Sequence, residues 1–209
     1  IHRRLVGSEM CIRDRNGNNI TYVVNRNINY TNICVYSCSF CAFSKSTGAK
    51  KLRGASYLLE LEEIQNRVRE AIRRGATEVC LQGGIHPKFD GNYYLDVIKA
   101  IRKVSPDIHI HAFSPLEIFQ GAQTLGLTLE EYLPILKEAG LNSLPGTAAE
   151  ILHDDVRDII CPDKLNTAEW LSVMDAAHSC GLNSTATIMF GHVETCLLYT
   201  SDAADESSS

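Results

Sequence analysis

Cys34, Cys38 and Cys41 stand on one short stretch, NINYTNICVYSCSFCAF (Asn27 to Phe43), with three and then two residues between them. Three thiolates on one loop can grip three corners of a cubic iron–sulfur cluster, which leaves the fourth iron open to a small molecule. Electron-transfer clusters are normally held by four cysteines, so a set of three points to a site that binds at its metal. A structural zinc site also wants four ligands, usually as two close pairs, and neither a second pair nor a nearby His accompanies this one. Disulfides are the other alternative, and they need an even count of partners and an oxidising compartment. The open-cornered cluster accounts best for the spacing.

The loop must be held by regular elements, and the chain supplies them in alternation. Ile20–Val24 (ITYVV) alternates and is β-branched, which predicts a short lead-in strand. Asn27–Cys34 alternates too and reads as the first barrel strand, ending in the cysteine loop. Ser44–Ala55 is rich in Lys, Gly and Ser and reads as loop. Leu61, Ile64, Val68 and Ile72 recur at helical spacing with Gly75 as the stop. Glu78–Gln82 is a buried strand that ends in Gly83-Gly84. Tyr94, Val97, Ile98, Ile101 and Val104 form the next helical stripe, and Ile108–Phe113 the third strand. Thr128 with Glu131 is a capping box that opens a helix over Leu129–Ala139. Leu141–Pro145 is a weak fourth strand, followed by GTAAEI (Gly146–Ile151) and a helix to about Ile160. Asn166 with Glu169 caps a helix that stops at Gly181, and Ser184–Phe190 (STATIMF) is a fifth strand.

Five alternations of strand and helix predict an α/β fold with a parallel sheet. The cysteines, Gly83-Gly84, Ser114, Gly146 and Gly191 all follow the carboxyl ends of successive strands, the face at which a (β/α) barrel carries its active site. A barrel is therefore favoured over an open doubly wound sheet. On the third strand His109 and His111 share one face, with Ile108, Ile110 and Ala112 on the other. An inward-facing pair suits substrate binding or proton transfer; a hydrogen-bonded core pair is the plainer alternative. His86 and His192 fall in loops at the same face, whereas His153 and His178 read as surface or packing residues.

The 209 residues suffice for one sizeable core. A hydrophobic fraction of 44%, a charged fraction of 22% and a net charge of −5 describe an ordinary globular chain. The acidic balance without a basic run argues against a nucleic-acid surface, and no apolar stretch reaches the ~18–20 residues of a membrane span. Of the eight cysteines, Cys80, Cys161 and Cys180 sit singly in apolar or helical surroundings, as small core residues do. A reducing compartment, the cytoplasm, is the expected location.

Residues 1–15 (IHRRLVGSEMCIRDR) and 196–209 (CLLYTSDAADESSS) show no amphipathic period. They resemble translated sequencing-adapter read-through; natural disordered tails are the alternative. The expected domain is thus 16–195, a fragment of a longer enzyme, in which Cys11 and Cys196 have no part.

The cysteine spacing, with the aromatic Phe40 before the last Cys, resembles that of the radical S-adenosylmethionine (SAM) superfamily. That resemblance implies a 4Fe–4S cluster held by Cys34, Cys38 and Cys41, with SAM chelating the open iron and cleaved to a 5′-deoxyadenosyl radical. It implies a partial barrel of six strands, here truncated after about the fifth. Gly83 and Gly84 would contact the amino group of SAM, a plain strand-to-loop turn being the alternative. Glu150 would accept from its ribose hydroxyls, an acidic residue favoured by the macrodipole in a first helical turn being the alternative. Gly191, with Glu194 three residues on, would meet its adenine. More closely, YVVNRNINYTNIC, ATEVCLQGGIHP, IHIHAFSPLEI, PGTAAEIL and MFGHVET resemble the CofH-like branch, the tyrosine-using subunits of deazaflavin (FO) synthase. This implies a transferase that joins the 4-hydroxybenzyl group of L-tyrosine to 5-amino-6-(D-ribitylamino)uracil. An electron donor and the partner FO synthase subunit would be its partners, and His111 and Asn32 are the candidate substrate contacts. The related menaquinone-branch enzymes, aminofutalosine synthase and dehypoxanthine-futalosine cyclase, are the alternative, and a non-catalytic iron–sulfur or zinc module is a third.

Overall fold

A computed structural model describes residues 17, 22–45 and 55–195, divided into two units: residues 24–189, and residues 1–23 with 190–209. The expected tails, with Cys11 and Cys196, lie outside the described residues, as does most of the loop expected at Ser44–Ala55.

In the larger unit the elements run β1 (Asn25–Asn29), α1 (Leu61–Arg73), β2 (Glu78–Gln82), α2 (Gly91–Val104), β3 (His109–Ala112), α3 (Pro115–Leu125), α4 (Leu129–Ala139), β4 (Ser143–Leu144), α5 (Asp154–Ile160), α6 (Thr167–Ser179) and β5 (Asn183–Ser184). The strands pair in parallel in the order β1-β2-β3-β4-β5. Each crossover therefore steps one strand in the same direction. Because such crossovers are right-handed, all the helices fall on one face, whereas a doubly wound sheet must reverse direction partway. This is the wall of a partial α/β barrel, as expected.

The sheet's two faces differ sharply. Ile28, Val79, Leu81, Ile110 and Ala112 point to the helices and share one core with Ile64 and Val68 of α1 and Val97 and Ile98 of α2. On the opposite face the register sets Asn27, Cys80, His111 and Ser143 side by side. The helices begin and end where their capping residues dictate. Asp90 accepts from the N–H groups of Asn92 and Tyr93, and Thr128/Glu131 and Asn166/Glu169 close the two capping boxes expected.

Five expectations are corrected. Of the expected lead-in strand, Ile20 and Thr21 lie outside the described residues, and Tyr22–Val24 are not strand: Tyr22 is 86% exposed, and the Val24 carbonyl accepts from Thr77 N–H at 2.8 Å and Glu78 N–H at 3.3 Å. The first strand starts at Asn25 and ends at Asn29, after which residues 30–34 make only isolated bridges, Thr31 to Leu58 and Ile33 to Lys45. Helix α3 lies where no helix was expected. The helix after Gly146 starts at Asp154, so Glu150 precedes it in a loop. The fifth strand is Asn183–Ser184 rather than Ser184–Phe190, because its neighbour β4 offers only two residues to pair with.

Candidate active site

The cysteine loop is fastened on both flanks. Gly84 N–H donates to Thr31 (3.0 Å) and Val35 N–H to Ile85 (2.9 Å), which ties the loop to the end of β2. On the far side Ser39 N–H donates to the Ile160 carbonyl (2.9 Å) and Ser37 N–H to Asp163 (3.0 Å). Inside the loop Cys41 N–H donates to the Cys38 carbonyl (3.2 Å), and Ser44 N–H to Cys41 Sγ (3.3 Å). All three cysteines line one cavity of about 210 Å³ at the carboxyl ends of the strands. Phe40, Gly83, Gly84 and Glu150 line it as well, so seven of the residues singled out from the sequence meet in one place.

Gly83 and Gly84 are explained first by packing. A Cβ on Gly83 would collide with the Tyr30 ring, and one on Gly84 with the Ile33 carbonyl, 3.0 Å from Cys34 Cβ. The bare backbone thus lets β2 close against the cysteine segment. Behind it lies Glu117, 1% exposed, which the sequence reading missed. Its carboxylate accepts from Gly83 N–H (3.2 Å), from Ser114 N–H (2.7 Å) and Oγ–H (2.6 Å), and from the buried Tyr30 hydroxyl. Burial pushes its pKa above the usual carboxylate range, more than the hydrogen bonds from Ser114, Tyr30 and Gly83 pull it down. The sequence signal was present: Ser114-Pro115-x-Glu117 is a capping box with proline at the first helical position.

Glu150 belongs to a loop in a strained conformation. Ala148 (φ 61°) and Glu150 (φ 52°) are both left-handed, a region costly for residues with a Cβ and held only where surroundings over-determine it. Arg157, 2% exposed, does the holding. Its guanidinium donates to the carbonyls of Ala148, Ala149, Ile151 and Leu165, while Trp170 Nε1–H donates to the Thr147 carbonyl (3.0 Å). Glu150 then pairs with Lys164 at 2.8 Å. Lys164 lies 5.3 Å over the Phe40 ring, and its charge acts on the Cys38 thiol. Burial acts to lower the Lys164 pKa, but Glu150 and Cys38 outweigh it and hold the group protonated. Neither Arg157 nor Lys164 was legible, since CPDK and a helical Arg carry no pattern.

The remaining candidates are placed as follows. Asn32 is 5% exposed, and its amide is committed to backbone, donating to the Ala55 carbonyl (3.1 Å) and accepting from Tyr57 N–H (2.8 Å). The candidate substrate contact is thus a brace for residues 55–57. His111 does lie on the face opposite the helices, bonded through Nδ1 to Ser143 Oγ at 2.7 Å. His86 Nδ1 accepts from Lys88 N–H (3.2 Å) and stacks against Phe89. Gly191 belongs to the smaller unit, where its positive φ (90°) makes a turn closed by its N–H donating to Glu194.

Three sulfur donors on one wall fit an iron–sulfur cluster. No disulfide engages any of the six described cysteines, and the Lys164 ammonium offsets negative charge beside Cys38. Among the described residues no three Cys, His, Asp or Glu side chains gather as they would around a single ion.

A family model described as the radical SAM superfamily matches residues 28–195. The chain is 51% identical over 185 residues, 87% of its length, to a 5-amino-6-(D-ribitylamino)uracil–L-tyrosine 4-hydroxyphenyl transferase of Methanocaldococcus jannaschii, of which it covers 50%. It is 50% identical over 190 residues to the enzyme of the same name from Methanothermobacter thermautotrophicus, covering 91% of this chain and 51% of that one. It spans about half the length of these curated relatives. The crystal structure of methylornithine synthase superposes over 93% of this chain and 53% of its own with a TM-score of 0.67 at 19% identity, which is a likeness of fold. With the cysteine triplet at the carboxyl edge of a partial parallel barrel, and the family match running through every strand from residue 28 onward, the chain belongs to the radical SAM superfamily.

Proposed function

We propose that this chain is the catalytic barrel portion of a transferase that joins the 4-hydroxybenzyl group of L-tyrosine to 5-amino-6-(D-ribitylamino)uracil in deazaflavin cofactor synthesis. The observation that carries the reading is the identity of about half to relatives bearing that name, sustained over 87% of the chain and therefore through the segments that line the cavity. Membership of the superfamily implies a 4Fe–4S cluster and SAM; when bound, they supply one-electron cleavage of a sulfonium and so an organic radical.

The residues of this chain have separable tasks. Cys34, Cys38 and Cys41 hold the cluster, and Gly83, Gly84, Glu150 and Phe40 form the wall against which SAM is positioned. Glu150, fixed by Lys164, presents its second carboxylate oxygen to hydroxyl donors. His111, on the polar face of the sheet, contacts substrate. The barrel wall orients the reactants and excludes water from the radical, which is where most of the protein's contribution to such chemistry lies. An electron donor is required, and the partner FO synthase subunit is the expected companion.

The test is an anaerobic incubation of the cluster-reconstituted protein with SAM, a reductant, L-tyrosine and the ribitylaminouracil. Release of 5′-deoxyadenosine together with the coupled product, seen by mass spectrometry, is expected. Release only with futalosine-type substrates overturns the assignment in favour of the menaquinone branch.

A further inference from the structure

Below the cavity, on the face of the sheet turned away from the helices, two imidazoles converge on one hydroxyl. His109 Nε2 and His111 Nδ1 each stand 2.7 Å from Ser143 Oγ. Ser143 is 7% exposed, and the register sets it level with His111. A serine hydroxyl has one hydrogen to give and two lone pairs to accept with. If both rings donated to Oγ, its hydrogen would need a third partner, and among the described residues Ser143 Oγ has none. The satisfied state has one ring donating to Oγ and the other accepting from it. In a neutral imidazole one nitrogen carries hydrogen and the other does not, so the outer nitrogens, His109 Nδ1 and His111 Nε2, show opposite character. Among the described residues neither has a hydrogen-bond partner. The group therefore offers one donor and one acceptor together.

The surroundings define what would dock there. Gln82 lines the cavity; Cys80, in register with His111, lies two residues down the same strand, about 6.6 Å at the usual strand rise. Asn27 and Asn29 sit level with Cys80 and Gln82. The charged group on this patch is Glu78, whose Oε2 is 3.8 Å from His109 Nε2. An amino-acid carboxylate would meet repulsion from Glu78 and no cation among these side chains. A neutral ring edge that alternates N–H with C=O, or a chain of hydroxyls, finds a matched set.

We propose that His109, Ser143 and His111 form a subsite for the neutral heterocycle–polyol co-substrate, in the reading above the ribitylaminouracil, and that the amino-acid substrate binds elsewhere. This rests on the function proposed above. The test is equilibrium binding of ribitylaminouracil and, separately, of L-tyrosine to the cluster-reconstituted protein with SAM present, for wild type, Ser143→Ala, Ser143→Thr and His109→Gln. Ser143→Ala and His109→Gln should each weaken ribitylaminouracil binding about tenfold, leave tyrosine within twofold, and leave the spectrum of the reduced cluster unchanged. Ser143→Thr, which keeps the hydroxyl, should restore most of the affinity. Because the His109 side chain is 44% exposed, its variant tests the subsite even if Ser143→Ala fails to fold. Unaltered ribitylaminouracil binding in both variants, or loss confined to tyrosine, overturns the subsite and leaves the function standing. A wild type that binds neither substrate overturns both.

Discussion

At Cys38 two forces oppose each other. Burial pushes the thiol up to about 11, while the Lys164 ammonium pulls it down. In cluster-free protein Cys38 is thus mostly a thiol at neutral pH, and loading the metal must expel its proton. The rate of alkylation of Cys38, followed by mass spectrometry on the metal-free protein, should keep rising toward pH 11 rather than level near the ordinary value of 9.0. Lys164→Met, by removing the charge that favours thiolate, should shift that profile further upward; a downward shift would contradict that assignment. Cys38→Ala should abolish the brown cluster and its bound iron on anaerobic reconstitution. Glu117 is the second residue with a burial-driven shift. Its folded pKa is raised above the ordinary 4.5, so the stability linked to its protonation is complete below that value. It is lost as pH rises through the folded pKa. The denaturation midpoint of wild type should therefore fall over that interval, and Glu117→Gln should lack that component of the fall.

At the scale of elements, the loop from Gly146 to Ile151 shows what the sequence does and does not disclose. Its place after the fourth strand was legible from the strand–helix alternation. Its shape was not, because two non-glycine residues adopt left-handed backbone only under the grip of Arg157, a residue that reads as an ordinary helical cation. Arg157 donates to carbonyls on both sides of α5, at Ala148–Ile151 and at Leu165. Arg157→Met should lower unfolding free energy by about 3 kcal/mol, the scale of breaking a buried charge-assisted network, as read from chemical denaturation. Arg157→Lys should recover little of it, since an ammonium lacks the planar fork. Helix α1, with a strong apolar stripe, and α4 and α6, with a capping box at the start of a periodic run, were legible to within a residue or two, whereas α2 starts at Gly91, three residues before its first stripe residue, Tyr94. Helix α3 was passed over although Ser114 and Glu117 mark its start. Its buried side includes Pro115, Glu117 and Gly121, which no hydrophobic period reveals. The fifth strand was overestimated for the opposite reason: β-branched composition in STATIMF says nothing about whether a partner strand is long enough to pair.

Across the whole sheet, the hydrogen-bonded ladder weakens in one direction. β1 and β2 pair from Asn25–Glu78 to Asn29–Gln82, and β2 and β3 from Glu78–His109 to Leu81–Ala112. β3 meets β4 only at His111–Ser143, and β4 meets β5 only at Ser143–Asn183 and Leu144–Ser184. The candidate site straddles this gradient. Its cysteine loop and Gly83-Gly84 hang from the strong side, whereas Thr147, Ala148 and Glu150 follow the short strand β4. Local opening free energy tracks such differences in buried contact and pairing, so amide exchange should be slowest at 79–82 and 110–112 and early at 183–185. A ligand bridging the cysteine wall and the Glu150 wall stabilises only conformations in which both are formed. Adding SAM to the cluster-loaded protein should therefore raise protection at 144–151 and 183–185 while leaving β2 and β3 nearly unchanged. Uniform protection over all five strands before ligand is added would contradict the gradient. Protection gained at β2 and not at 144–151 would show that the ligand does not reach the Glu150 wall.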